Sequence, residues 1–153
     1  MRTRPIVPLF LLLLLANAQG NEQPCSSTLL TQGRAGICVY DVGRKPLFVS
    51  IRVVLDGEVR GKLAKQQPWL WVDADPGAHV IGVDLGKSPQ ARRKVQAAAG
   101  EIKYLRYERV IQTTIGFLDT TSAAQADLLE VAAADAAGDL DRLAAPLSKR
   151  SRR

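Results

Sequence analysis

The sequence is short of the side chains from which catalytic and metal centres are built. It holds one histidine, His79, and two cysteines, Cys25 and Cys38, in 153 residues. A zinc site needs several convergent nitrogen or sulfur ligands, and these three residues form no cluster in the sequence. Nucleophilic catalysis needs a histidine beside a nucleophile and an orienting carboxylate. Asp73, Asp75 and Asp84 lie near His79, but no nucleophile-elbow motif is present. The Asp73/Asp75 pair has too few partners for calcium or for paired-carboxylate glycosidase chemistry. Aromatic residues are scarce, at 5%. The N-terminal apolar run is too short and wrongly flanked for a membrane-spanning helix, and no other stretch could span one.

A charge excess is also missing from the body of the chain. The formal net charge is +6 and the pI about 9.7. From Gln19 to Ser148, however, 15 basic residues balance 15 acidic ones. The excess sits in Arg2 and Arg4 and in the tail Lys149, Arg150, Arg152 and Arg153. A nucleic-acid-binding fold needs a basic patch of its own, so no nucleic-acid partner is expected. Neither is a cofactor, a metal or an enzymatic activity.

The features present point to export. Arg2 and Arg4 open the chain, Phe10–Leu15 centres an apolar run, and Ala16-Asn17-Ala18 supplies small residues for cleavage. This reads as a signal peptide over residues 1–20, and it places the protein in the periplasm or outside the cell. The two arginines are not adjacent, which argues against twin-arginine export. In an exported protein two cysteines usually pair, so Cys25 and Cys38 are expected to tie an irregular segment, residues 21–35, to the first strand. Separate thiols are the alternative. Gln23-Pro24 before Cys25 does not suit lipid attachment there.

The domain proper is read over residues 36–145. Ile37–Tyr40, Phe48–Leu55, Val59–Leu63, Trp69–Ala74, His79–Asp84, Arg92–Ala97 and Ile102–Val110 are short β-prone runs separated by turn signals. Ile51, Val53 and Leu55 alternate with polar Ser50 and Arg52, the pattern of a strand with one face buried. Asp56-Gly57 predicts a tight hairpin, Gly61 a bulge, and Pro76-Gly77 a type II turn between two strands of a hairpin over Leu70–Val83. Thr113–Leu118 is a further strand candidate. Ala123–Ala145 is alanine-rich and reads either as one helix or as a strand at Asp127–Val131 followed by a helix at Ala133–Ala145, ended by Pro146. Residues 146–153 read as a disordered basic tail. The pattern predicts a mostly β fold: an antiparallel β-sandwich of about seven strands with a C-terminal α-helix as a lid.

The signals occur in a particular order: Ile37-Cys38-Val39-Tyr40, Val54-Leu55-Asp56-Gly57, Gly61-Lys62-Leu63, Asp75-Pro76-Gly77-Ala78-His79, and Gly100-Glu101-Ile102-Lys103-Tyr104-Leu105-Arg106. By strand order and turn positions from Gly36 to Leu143, the chain resembles the bacterial envelope family of domain of unknown function 2846. That family is similar in turn to the PEGA and carboxypeptidase-regulatory-like sandwiches. The resemblance implies an exported, mostly β domain with no catalytic residues to carry over. Relatives are often lipoproteins, and this chain departs from them in its cysteine context.

The expected function is a non-enzymatic interaction module that binds another envelope protein through a sheet edge or an aromatic face. The alternative is a glycan- or peptide-binding domain. Trp69 and Trp71 share a strand face, and with His79 they form a candidate ligand face; the other reading buries the tryptophans in the core and bonds His79 to the turn before it. Arg92-Arg93-Lys94 reads as a solvated run. Lys149, Arg150, Arg152 and Arg153 are candidates for contact with anionic lipid or glycan.

Overall fold

A computed structural model describes residues 24–43, 50–84, 89–115 and 120–148. The signal segment and the four basic tail residues lie outside the described residues. Eight strands form two four-stranded sheets. They are β1 (Ala35–Asp41), β2 (Ile51–Leu55), β3 (Glu58–Leu63), β4 (Trp69–Ala74), β5 (Gly77–Asp84), β6 (Pro89–Ala97), β7 (Ile102–Ile115) and β8 (Thr120–Val131), followed by helix α1 (Ala133–Ser148). One sheet runs β4-β1-β7-β8 and the other β3-β2-β5-β6. The expected β-sandwich with a C-terminal helix is therefore observed, with eight strands.

Between the sheets lies the main core. Ile37, Val39, Val72, Leu105, Tyr107 and Leu128 come from the first sheet, and Ile51, Val53, Leu55, Leu63, Ile81, Val83 and Val95 from the second. Each set falls at alternate positions, as the pleat requires. A second, smaller cluster lies on the outer face of the β4-β1-β7-β8 sheet. Cys25, Cys38, Tyr40, Ala136 and Leu140 form it, with Trp69, Trp71, Tyr104, Val131 and Leu143 packed against it. The Cys25–Cys38 disulfide and α1 cover this face, which makes it the clamped sheet. Among the described residues no element lies over the outer face of the β3-β2-β5-β6 sheet, which makes it the open one. Strand β1 is buried at every residue because it is interior to its sheet and covered on both sides.

Three local expectations are corrected, and one pair of alternatives is decided. The sandwich is not wholly antiparallel: β1 pairs with β7 in parallel, from Gly36↔Ile102 to Asp41↔Tyr107. The whole open sheet and β4 intervene in sequence between those strands, so no tight turn dictates their direction. The Leu70–Val83 stretch is no hairpin, because β4 belongs to the clamped sheet and β5 to the open one. Asp75-Pro76-Gly77 is thus a corner between sheets. Gly77 adopts φ 147°, well beyond the roughly +80° of a type II turn. Of the two readings of the alanine-rich segment, a strand followed by a helix is the one observed: β8 begins earlier, at Thr120, and ends at Val131, held by pairing along β7 from Tyr104↔Val131 to Ile115↔Thr120. Cross-strand bonding there overrides the local helix preference. Finally, α1 continues through Pro146 to Ser148, so residues 146–148 belong to the helix and not to the tail. Proline removes one donor but its own φ is helical.

The Asp56-Gly57 hairpin forms as expected. Leu55 pairs with Glu58, and both loop residues have positive φ, 51° and 91°, the requirement of a type I′ turn. The pairing shifts between Val53↔Gly61 and Val54↔Val59, a bulge beside Gly61. A Cβ at Gly61 would stand 2.8 Å from Leu70 of the facing sheet.

Candidate binding face

Trp69 and Trp71 stand on the outer face of the clamped sheet, opposite Tyr40 and Cys38 of β1. Both are half-buried and lie outside the inter-sheet core. The ring of Trp71 lies on the Gly36 backbone so closely that a Cβ there would be 2.2 Å from it. Its Nε1–H donates to Asp73 Oδ1 at 3.1 Å. These tryptophans are part of the cover between sheet, disulfide and helix.

His79 does not join them. It sits on β5 of the open sheet, where Nδ1 meets Asp56 Oδ2 at 2.7 Å and Nε2 meets the Asp75 carbonyl at 2.6 Å. Both partners are acceptors, so the bonding is complete only when both ring nitrogens carry protons. The bond to Asp56 and then that to Asp75 raise the His79 pKa. The Val80 N–H, donating to Asp56 Oδ1 at 2.8 Å, and then His79 lower that of Asp56. Asp75 also pairs with Arg34. His79 therefore pins the β2–β3 hairpin to the corner between the sheets.

A polar link anchors α1 on the clamped sheet. The Tyr40 hydroxyl donates to Asp139 Oδ2 at 3.2 Å, and Arg106 Nη1 donates to the same oxygen at 3.2 Å. Burial, and then the Asp139 carboxylate, push the Tyr40 phenol far above its ordinary pKa, so it remains a donor at physiological pH.

The open sheet presents a different outer surface. A groove of about 590 Å³ crosses it, lined among others by Arg52, Val54, Val59, Val80, Gly82 and Arg92. Register defines the layout. Val59, Val54, Gly82 and Arg92 form one row across the strands; Lys62, Arg52 and Asp84 form the next; Val80 pairs with Lys94. Arg52 Nε and Nη2 donate to Asp84 Oδ1 at 3.1 and 3.0 Å. Val59 is 59% exposed and Val80 37%.

Strand alternation splits the run Arg92-Arg93-Lys94. Arg92 and Lys94 face outward, while Arg93 reaches β8, where Nη1 donates to the Leu128 carbonyl at 3.5 Å and Nε stands 4.0 Å from Glu130. A body balanced in total charge thus gathers Arg52, Lys62, Arg92 and Lys94 on one face against Asp56 and Asp84. The expectation that the fold carries no basic face is corrected: composition averages over faces that the pleat separates. The alternation of Arg92, Lys94 and Gln96 is visible in the sequence; the cross-strand neighbours that complete the face are not.

Among the described residues no helix is long and apolar enough to cross a membrane. No group of three or more His, Cys, Asp and Glu residues among them is placed to hold a metal ion. No family model matches the sequence, and the search of curated proteins finds no match.

Proposed function

We propose that this chain is a non-enzymatic binding module of an exported compartment, periplasmic or secreted, that holds another protein on the outer face of the open sheet. One observation carries the reading: among the described residues one outer face of the sandwich is covered and the other is bare, with exposed Val59 and Val80 beside a groove of about 590 Å³. That volume is in the range of ligand sites, about 300–1,000 Å³, and exposed aliphatic side chains rimmed by charge are typical of interaction surfaces. The signal-like residues 1–20 and the Cys25–Cys38 disulfide support an oxidising destination. The resemblance to domain of unknown function 2846 supports an envelope role. The aromatic alternative is weaker, because the Trp71 ring is already seated on Gly36 and bonded to Asp73.

A photoreactive residue placed at Val59 or Ala78, on the open face, tests the reading in the producing cell, with Thr28 and Gln32 as positions elsewhere on the surface. Saturable capture from Val59 and Ala78, competed by excess unmodified chain, is expected. Capture confined to Thr28 and Gln32, or from none of the four, would end the proposal.

A further inference from the structure

We infer that the groove on the open sheet takes an extended segment of a partner protein in which an aliphatic side chain is flanked by carboxylates. This rests on the reading of that face as the binding surface and names what it binds.

Gly82 lines the groove. It lies within β5, a strand interior to its sheet, where glycine weakens a strand and often marks close approach by a ligand. The fold does not demand a glycine there. A Cβ would meet only Arg92 Cγ at 3.7 Å, the Ala91 carbonyl at 3.8 Å and Val54 Cβ at 3.8 Å, all ordinary contacts. What the missing side chain does create is a dip between Val54, Val80 and Arg92. Neighbouring side chains across a sheet are about 5 Å apart, so the dip is of a size for one aliphatic group.

Charge gives the sign of the occupant. Four cations on this face oppose two carboxylates that line the groove, Asp84 and Asp56, and both are already bonded, Asp84 to Arg52 and Asp56 to His79 and the Val80 N–H. Among the described residues no ion pair engages Lys62, Arg92 or Lys94. Arg92 adjoins Gly82 and Lys94 adjoins Val80, so carboxylates beside a seated aliphatic side chain would reach both. An arginine fork matches a carboxylate with two parallel bonds.

Other anions fit less well. A nucleic acid or polyphosphate favours a continuous cationic track, with aromatic rings for bases to stack on. Here the row Val59, Val54, Gly82 interrupts the cations, and the outward positions of these strands hold no aromatic residue. A membrane surface favours apolar side chains that protrude, whereas Gly82 makes the apolar centre a recess. A small carboxylate would be little buried in so open a groove, and a peptide gains further contact along the strands.

The test is selection of random heptapeptides against the disulfide-bonded chain. Peptides combining Val, Ile or Leu with Asp or Glu should emerge and bind less tightly as salt rises. Arg92→Glu and, separately, Gly82→Val should weaken them at least tenfold, with near-ultraviolet circular dichroism unchanged. Gly82→Val fills the dip while suiting a strand, so loss of binding by that variant reports the groove and not the fold. No selected binder, a consensus without acidic residues, or indifference to either substitution overturns the inference. So does tighter binding of inorganic polyphosphate, or of vesicles containing phosphatidylglycerol, than of any selected peptide. Backbone amide shifts separate the two levels. Non-acidic peptides that shift β2, β5 and β6 defeat the ligand class and leave the face; peptides that shift only β1, β4 and α1 defeat both.

Discussion

On the clamped sheet the outward positions hold Cys38, Tyr40, Trp69, Trp71 and Tyr104, and a helix and a disulfide lie over them. On the open sheet they hold Arg52, Val54, Val80, Gly82, Arg92 and Lys94, and both valine and cation reach solvent. An antiparallel sheet needs only one face covered, so the sandwich core already satisfies the open sheet, while the clamped sheet, which carries the parallel β1–β7 pair, is covered twice. The second cover is an addition to one side. It uses the large aromatic side chains, whose burial contributes most per residue. The open side keeps small aliphatic groups and long cations, whose methylene stems can lie along apolar surface while their heads stay wet. The difference separates a face whose residues are set by packing from one whose residues folding leaves free.

If that division is right, damage to the clamped face costs stability. The largest effect should come from the disulfide. Replacing Cys25 and Cys38 together by alanine releases a loop of sequence separation 13, worth about 3 kcal/mol in the chain-entropy account. Urea unfolding of the double variant checks this, and an unchanged midpoint would break the comparison at its strongest point. Next is Asp139→Ala. It leaves the buried Tyr40 hydroxyl without its acceptor and removes one partner of Arg106. A cost of about 2 kcal/mol is expected from such loss in a buried network, and Tyr40→Phe in the same background should recover part of it by removing the stranded donor.

The corner between the faces should respond to pH. His79 has a raised pKa, so its contribution is complete below the unfolded value of about 6.5 and is lost as pH rises through the folded one. Asp56 has a lowered pKa, so its contribution is complete above about 4 and is lost as pH falls through the folded value. The pair is therefore strongest between about pH 4 and 6.5. His79→Ala is expected to cost about 1.5 kcal/mol at pH 6, kept modest because Asp56 is 48% exposed. The gap between wild type and variant, followed by urea unfolding, should narrow by pH 9. A gap independent of pH would mean that the ring is neutral in the fold.

What could be read from the chain was what neighbours in sequence decide. Trp69–Ala74 is observed as a strand with those bounds, and Asp56-Gly57 makes its hairpin, because both depend on residues within a few positions. His79 does bond the preceding turn, at Asp75. Its second partner, Asp56, is 23 residues away and depends on how β2 and β5 align. Sheet membership was equally hidden: nothing local to Pro76-Gly77 says whether the chain turns back beside β4 or crosses to the facing sheet. The alanines of β8 carry a helical preference that only pairing with β7 overturns. The basic face was hidden for the same reason, since Lys62, Arg52, Arg92 and Lys94 come from three strands and meet only through register.

The smallest effect bears most directly on the open face. Gly82→Ala adds a methyl whose nearest neighbours are 3.7–3.8 Å away, so no clash opposes it. Alanine also restricts the unfolded chain more than glycine does, which stabilises a protein by about 0.4–1 kcal/mol where the backbone geometry is ordinary. Gly36→Ala makes the opposing case on the clamped face, where the added carbon would stand 2.2 Å from the Trp71 ring and overpacking should destabilise. The two glycines are thus expected to respond with opposite sign to the same substitution. A rise in unfolding midpoint for Gly82→Ala and a fall for Gly36→Ala would mean that packing keeps one glycine and something other than stability keeps the other. Two falls of equal size would return Gly82 to the fold and remove the reason to look for a ligand above it.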